Sequence, residues 1–77
     1  MKEYRLFEQT MYDRSVGFYE TYGVAVFDDG EMSRVVRDVS VERDKVEALV
    51  ARFNREHLEP EHLGQAIEEF LYDFEVT

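Results

Sequence analysis

Hydrophobic and polar residues alternate along the first half of the chain and follow a helical period along the second half. A spacing near two predicts one strand over residues 3–11 and another over residues 18–27, which is rich in the Phe, Tyr, Thr and Val that suit a pleated sheet. The segment Asp28-Asp29-Gly30 predicts a tight hairpin turn, so residues 32–39 should return antiparallel as a third strand. The first half is therefore predicted to be a three-stranded meander.

Two apolar stripes at helical spacing follow. The first contains Val46, Leu49, Val50 and Phe53 and predicts a helix over residues 41–57, with Ser40 as its N-cap. Pro60 interrupts this helix and suits the first position of the next one. The second stripe contains Leu63, Ala66, Ile67, Phe70, Leu71 and Phe74. The short break between the stripes favours two helices that pack antiparallel.

The order β-β-β-α-α predicts a single α+β domain over residues 1–77. A three-stranded antiparallel sheet, a meander, needs cover on one face, and a C-terminal antiparallel helical hairpin can supply it. The core should contain both helical stripes, Leu6 or Phe7 from the first strand, and at least two of residues 24–27.

Composition excludes several classes of protein. The chain has 77 residues, of which 44% are hydrophobic and 35% charged, so it can fold as one small domain. It has no cysteine, which excludes disulfides, thiol catalysis and cysteine-ligated zinc. The longest apolar run, residues 24–27, is far too short to span a membrane, and no secretion signal is evident. We therefore expect a cytoplasmic protein that does not bind membranes.

Negative charge is concentrated towards the C-terminus. The formal net charge is -9, and residues 60–77 contain five acidic residues and no Lys or Arg. Such a surface disfavours binding to nucleic-acid phosphates. It is either a solvated face or a docking face for a basic protein, with Tyr72 at its centre. The candidate contact residues on this face are Tyr72, Glu61, Glu68, Glu69 and Asp73.

The second strand is apolar on both of its faces, although the helices can cover only one of them. If Gly23 and Ala25 lie under the helices, then Phe18, Tyr22, Val24 and Val26 are left on the open face as candidate partner contacts. An apolar row of that kind favours a homodimer or another protein partner. In the alternative, the opposite face is the open one or the chain termini fold over it.

The two histidines flank the proline break. His57, His62 and a neighbouring glutamate are residue types that bind metal ions, but the two histidines are five positions apart with a proline between them. We therefore predict no metal site, no cofactor and no catalytic residue. His57 continues the first apolar stripe, so we expect it to pack at the end of the core.

Several segments together resemble a family of small bacterial proteins of unknown function. The resemblance spans residues 4–71 and rests on Ser40 and on four short runs at residues 22–25, 43–47, 58–63 and 67–71. Glu59 departs from it, since a small capping residue is expected before the proline. The resemblance implies a bacterial, cytoplasmic protein, and it implies no activity, substrate or catalytic residue.

The sequence thus favours a non-enzymatic protein-protein interaction or regulatory module. We expect its partner to be a protein, a second copy of the chain being one form, and not nucleic acid. The alternative is a small metal- or ligand-dependent enzyme that uses His57 and His62 with nearby glutamates.

Overall fold

The computed structural model describes the backbone of residues 1–76 and the side chains of residues 1–72. Within those residues three strands, β1 (Lys2–Asp13), β2 (Gly17–Asp28) and β3 (Glu31–Ser40), are followed by α1 (Arg43–Glu56), a 3-10 turn (Pro60–His62) and α2 (Leu63–Val76). The strands form one antiparallel sheet in the order β1-β2-β3. The predicted α+β fold and its β-β-β-α-α order are confirmed.

The meander consists of two hairpins, β1–β2 and β2–β3. β1 and β2 pair without interruption from Lys2 opposite Asp28 to Asp13 opposite Gly17. Between β2 and β3, Asp29 and Gly30 have φ angles of 52° and 86°. Two consecutive positive φ angles match the type I′ turn that an Asp-Gly pair favours.

The pairing of β2 with β3 contains a bulge. Tyr22 lies opposite Ser40 and Val24 lies opposite Val36, so Gly23 alone faces residues 37–39. Asp38, inside this bulge, has a φ of 54°. Its carboxylate accepts a hydrogen bond of 2.6 Å from the hydroxyl of buried Thr21. The bulge brings β3 so close to Gly23 that a β-carbon there would lie 2.1 Å from the carbonyl oxygen of Val36.

The helix layer covers the face of β2 that carries Tyr22, Val24 and Val26. These three side chains are buried with Tyr4 and the apolar stripe of α1. Their predicted placement on the open face is therefore wrong, and they are not available to a partner. The reason is that these larger side chains offer α1 more apolar surface to bury than Gly23 and Ala25 would. Of the predicted row, only Phe18 is exposed.

The predicted helical core is largely confirmed. All four stripe residues of α1 are buried, and Phe53, which is 0% exposed, meets the Tyr4 ring edge to face with 5.4 Å between centroids. α2 contributes buried Leu63 and Ile67, while Leu6, Ala66, Phe70 and Leu71 are partly buried against the same cluster. Phe74 lies outside the described side chains. The antiparallel packing of α2 on α1 stays a prediction.

Both ends of α1 differ from the prediction. The N-cap is Glu42, whereas Ser40 ends β3 and its hydroxyl accepts a 3.0 Å hydrogen bond from the Glu42 N–H. At the other end His57 has a left-handed backbone, with a φ of 52°, and the Leu58 N–H bonds to the Phe53 carbonyl. His57 is exposed, so its predicted packing in the core is wrong. Its left-handed φ takes it out of the helical phase that placed it there.

Candidate interaction surface

One face of the sheet is not covered by the helices, and we call it the open face. In the strand register it carries the side chains of Arg5, Phe7, Gln9, Met11, Tyr19, Phe27, Val35 and Arg37. Two arginines lie over two of its aromatic rings, Arg5 at 4.1 Å from the centroid of Phe27 and Arg37 at 5.7 Å from that of Phe7. The open face is therefore a partly exposed apolar surface on which two arginines cover aromatic rings, and Arg5 is also paired with Glu3 at 2.9 Å.

The β1–β2 hairpin extends beyond the helix layer. Arg43, the first residue of α1, lies 3.5 Å from the Glu8 carboxylate and 5.8 Å from the Tyr22 ring, and the strands continue past both. The end of the hairpin exposes Tyr12, Val16 and Phe18, at 62%, 70% and 77%, and we call these three residues the hairpin tip. The rings of Tyr12 and Phe18 meet edge to face at 5.1 Å. An aromatic pair this exposed is a candidate contact site.

The outer edge of β1 is closed at one residue by the side chain of Asn54. Its Oδ1 accepts a hydrogen bond of 2.8 Å from the Tyr4 N–H, and its Nδ2 donates one of 2.9 Å to the Tyr4 carbonyl. The Tyr4 hydroxyl donates to the carbonyl of Leu58 at 2.6 Å. Burial raises the pKa of this phenol above its ordinary value, with the Glu59 carboxylate adding to the effect. Tyr4 thus fixes β1 to the end of α1.

The remainder of that edge is open. In an antiparallel edge strand every second residue directs both its N–H and its carbonyl away from the neighbouring strand. The backbone N–H and carbonyl of Tyr4 point away from β2. The same backbone groups therefore point outward at every second residue that follows, namely Leu6, Glu8, Thr10 and Tyr12. Among the described residues, Asn54 alone hydrogen-bonds to this outward row.

The Asn54 contact supports a stability prediction. We expect Asn54→Ala to lower the free energy of unfolding by about 2 kcal/mol, because it leaves a donor and an acceptor of Tyr4 without their partner. Urea denaturation measures the difference. Arg55→Ala is the matched control, since Arg55 is an exposed neighbour on the same helix and should change stability by less than about 0.5 kcal/mol. Equal stabilities of the two variants would contradict the prediction.

The residues predicted on the acidic face are exposed where their side chains are described. These are Glu61, Glu68, Glu69 and Tyr72, whereas the side chain of Asp73 lies outside the described residues. Their role in binding a basic protein stays a prediction.

The two histidines lie in different surroundings. His57 lines a groove with Lys2, Asn54 and Glu59, and His62 is on the 3-10 turn with its Nε2 3.8 Å from the Glu61 carboxylate. The residues that line the groove do not include His62. In residues 1–72, where side chains are described, no three His, Asp or Glu residues gather as a metal site would require.

The comparisons with known proteins name no activity. In the part of the chain that the structure describes, neither helix combines the length and the apolar character needed to cross a bilayer. No curated protein and no solved structure matches the chain. One family model, described as a family of unknown function (DUF6514), matches residues 1–73, which includes all three strands, α1 and most of α2. The chain therefore belongs to the DUF6514 family.

Proposed function

We propose that this protein is a non-enzymatic interaction module that binds another protein chain through its sheet. The observation that carries the proposal is the hairpin tip, where Tyr12, Val16 and Phe18 are more than half exposed beyond the end of the helix layer. Large apolar side chains grouped in this way stabilise a complex when a partner removes them from water.

The open face adds the residue types that protein interfaces favour. Aromatic residues and arginine are enriched at such interfaces. Here Arg5 lies over the ring of Phe27 and Arg37 lies over the ring of Phe7. A partner could contact each arginine together with the ring beneath it. Met11 and Tyr19 of the open face adjoin Tyr12 and Phe18 along the same two strands, whose side chains point to the opposite face, so a partner that wraps around the end of the hairpin would contact both groups.

The acidic face of α2 is the weaker candidate. Its carboxylates are exposed, and exposed charges contribute little to binding once salt screens them. Apolar contacts persist under the same conditions, and kosmotropic salts strengthen them. The proposal therefore assigns the principal contact to the sheet.

Two double variants test this assignment. Tyr12→Ser with Phe18→Ser removes the aromatic hairpin tip, and Glu68→Gln with Glu69→Gln neutralises part of the acidic face without altering side-chain size. The mass in solution by light scattering and the retention of proteins from a native extract are compared with wild type. We expect the first pair to abolish association and the second to leave it within about fivefold, since exposed ion pairs contribute less than about 1 kcal/mol.

Salt gives an independent readout. Association through the sheet should persist or increase from low to high salt, whereas association through α2 should weaken. Loss of association only in the glutamine pair would move the contact to α2. A wild-type chain that stays monomeric and retains no protein at any salt concentration would overturn the proposed function.

A further inference from the structure

The open part of the β1 edge runs from Arg5 to Asp13. It begins after Tyr4, whose outward groups Asn54 occupies, and it ends where β1 ends. No bulge interrupts β1 in its pairing with β2, and this segment contains no proline and no lysine, its charged residues being Arg5, Glu8 and Asp13. Proteins use these devices to prevent an edge strand from pairing with another chain. The β3 edge, by contrast, is bent by the bulge at Asp38.

We propose that two copies of this protein pair antiparallel through their β1 edges, with Gln9 on the twofold axis, to form one continuous six-stranded sheet. This inference rests on the proposed function and names the partner as a second copy. The position of the axis follows from the geometry, because Gln9 is the midpoint of the open segment Arg5–Asp13. An antiparallel pairing that uses the whole segment therefore places Gln9 opposite itself.

The side chains are complementary in this register. Arg5 lies opposite Asp13 of the second copy. Its guanidinium bonds to Glu3 at 2.9 Å in the single chain, and in the dimer it can exchange that partner for Asp13, which gives two such ion pairs. Phe7 lies opposite Met11, Leu6 opposite Tyr12, and Glu8 opposite Thr10. A shift of the axis to Glu8 would place two carboxylates opposite each other, and like charges directly across a sheet are destabilising. A shift to Thr10 would leave Leu6 unpaired and place Phe7 opposite Asp13.

The backbone fits the same register. The outward N–H and carbonyl groups of Glu8 and Thr10 meet, as do those of Leu6 and Tyr12, which gives about eight hydrogen bonds over both halves of the dimer. Gln9 then forms a non-hydrogen-bonded pair, in which side chains approach most closely. Gln9 Oε1 is enclosed and has no hydrogen-bond partner among the described residues. When the Gln9 side chain turns towards the twofold axis, this oxygen can accept a hydrogen bond from the amide of the second Gln9.

The arrangement also accounts for the exposed hairpin tip. A twofold axis perpendicular to the sheet places both helix layers on the same side. Each α1 covers its own β1 near Tyr4 and Glu8, and those residues lie beside the far end of the partner's β1. Tyr12 of one copy is thereby brought beside Leu6 and α1 of the other. Tyr12, which is exposed in one chain, becomes part of the interface, and Phe18 lies one strand further from it.

Single cysteines test the register. The chain has no cysteine of its own, so Gln9→Cys introduces one thiol per copy. Non-hydrogen-bonded antiparallel pairs have Cα atoms about 4.5 Å apart, within the disulfide range. Met11→Cys is the control, because its two copies would be separated by about four residues along the strands, roughly 14 Å. We expect mild oxidation to link Gln9→Cys at least about tenfold faster than Met11→Cys. Equal rates, or faster linkage at Met11, would overturn the register.

A charge exchange tests the same pairing without oxidation. Arg5→Asp alone and Asp13→Arg alone each place like charges at both ends of the interface, so self-association should weaken about tenfold or more. A mixture of the two variants restores both attractive pairs. We expect a heterodimer whose dissociation constant is within about threefold of wild type, measured by sedimentation at moderate salt. Circular dichroism of each variant controls for folding.

The outcomes separate this inference from the proposed function. A wild-type dimer that neither crosslinks at Gln9→Cys nor recovers in the mixed charge variants would overturn edge pairing and leave association through the open face. A monomer that still retains a foreign protein through Tyr12 and Phe18 would overturn the homodimer alone. A monomer that retains nothing overturns both.

Discussion

Replacement of Phe53 with alanine should lower the free energy of unfolding by about 3 to 5 kcal/mol. Phe53 is fully buried, meets Tyr4 edge to face, and lies between α1 and the sheet at the centre of the core. Truncation removes the apolar transfer energy of the ring and leaves a cavity that a small domain cannot close. Because such a domain has a total stability of roughly 4 to 12 kcal/mol, the substitution should remove a large fraction of that stability.

Phe18 supplies the matched control for this prediction. It is the same residue type at 77% exposure, so Phe18→Ala should change the stability of the monomer by less than about 0.5 kcal/mol. Thermal and urea denaturation of both variants at low protein concentration gives the comparison. A Phe53→Ala variant that unfolds at the wild-type midpoint would show that α1 does not pack with this face on the sheet.

Replacement of Gly23 with alanine should cost about 3 kcal/mol or more, although only one methyl group is added. The new β-carbon would lie 2.1 Å from the Val36 carbonyl oxygen and 3.1 Å from the Arg37 Cα. Both atoms belong to backbone, so no side-chain rotation relieves the clash. The bulge in β3 must move, and the hydrogen bond from Thr21 to Asp38 should be lost with it.

The same substitution at Gly64 should have the opposite effect on stability. A β-carbon there would be 3.8 Å from the nearest atom, an Arg34 side-chain nitrogen, which is ordinary contact. Since alanine is the better helix former, Gly64→Ala should raise stability by up to about 1 kcal/mol. Equal effects of the two substitutions in urea denaturation would contradict the tight approach of β3 to Gly23.

The order of the elements could be predicted because each one carries a strong local signal. The Asp-Gly turn and the stripe of α1 depend on neighbouring residues alone, and both are confirmed. The buried face of the sheet was harder to predict, since β2 has valines on one side and Ala25 and Phe27 on the other. The larger apolar side chains of Tyr22, Val24 and Val26 are the ones buried, and the bulge at Asp38 that β3 forms beside Gly23 has no counterpart in the hydrophobic pattern.

The candidate surface was less predictable for a similar reason. Tyr12 and Phe18 differ from buried aromatic residues only in lying beyond the end of α1, and this depends on where α1 begins. Asn54 had a recognisable signal, because a neutral polar residue beside the apolar stripe, four positions after Val50, can reach a strand edge. The exposure of His57 had no such signal in the sequence. His57 fits the helical spacing of the buried stripe, and only its positive backbone φ takes it out of that stripe.

Because Asn54 on α1 accepts a hydrogen bond from the Tyr4 N–H, exchange of this one amide proton reports on whether α1 is packed on the sheet. The Tyr4 N–H is bonded to a side chain 50 residues away, whereas Arg5 pairs with Ala25 inside the sheet. Detachment of α1 with the sheet intact would expose the Tyr4 amide to solvent and leave that of Arg5 protected. The protection factor of the Tyr4 amide therefore gives the free energy that holds the helix to the sheet, and a higher protection factor for Arg5 shows that the sheet remains intact during this opening.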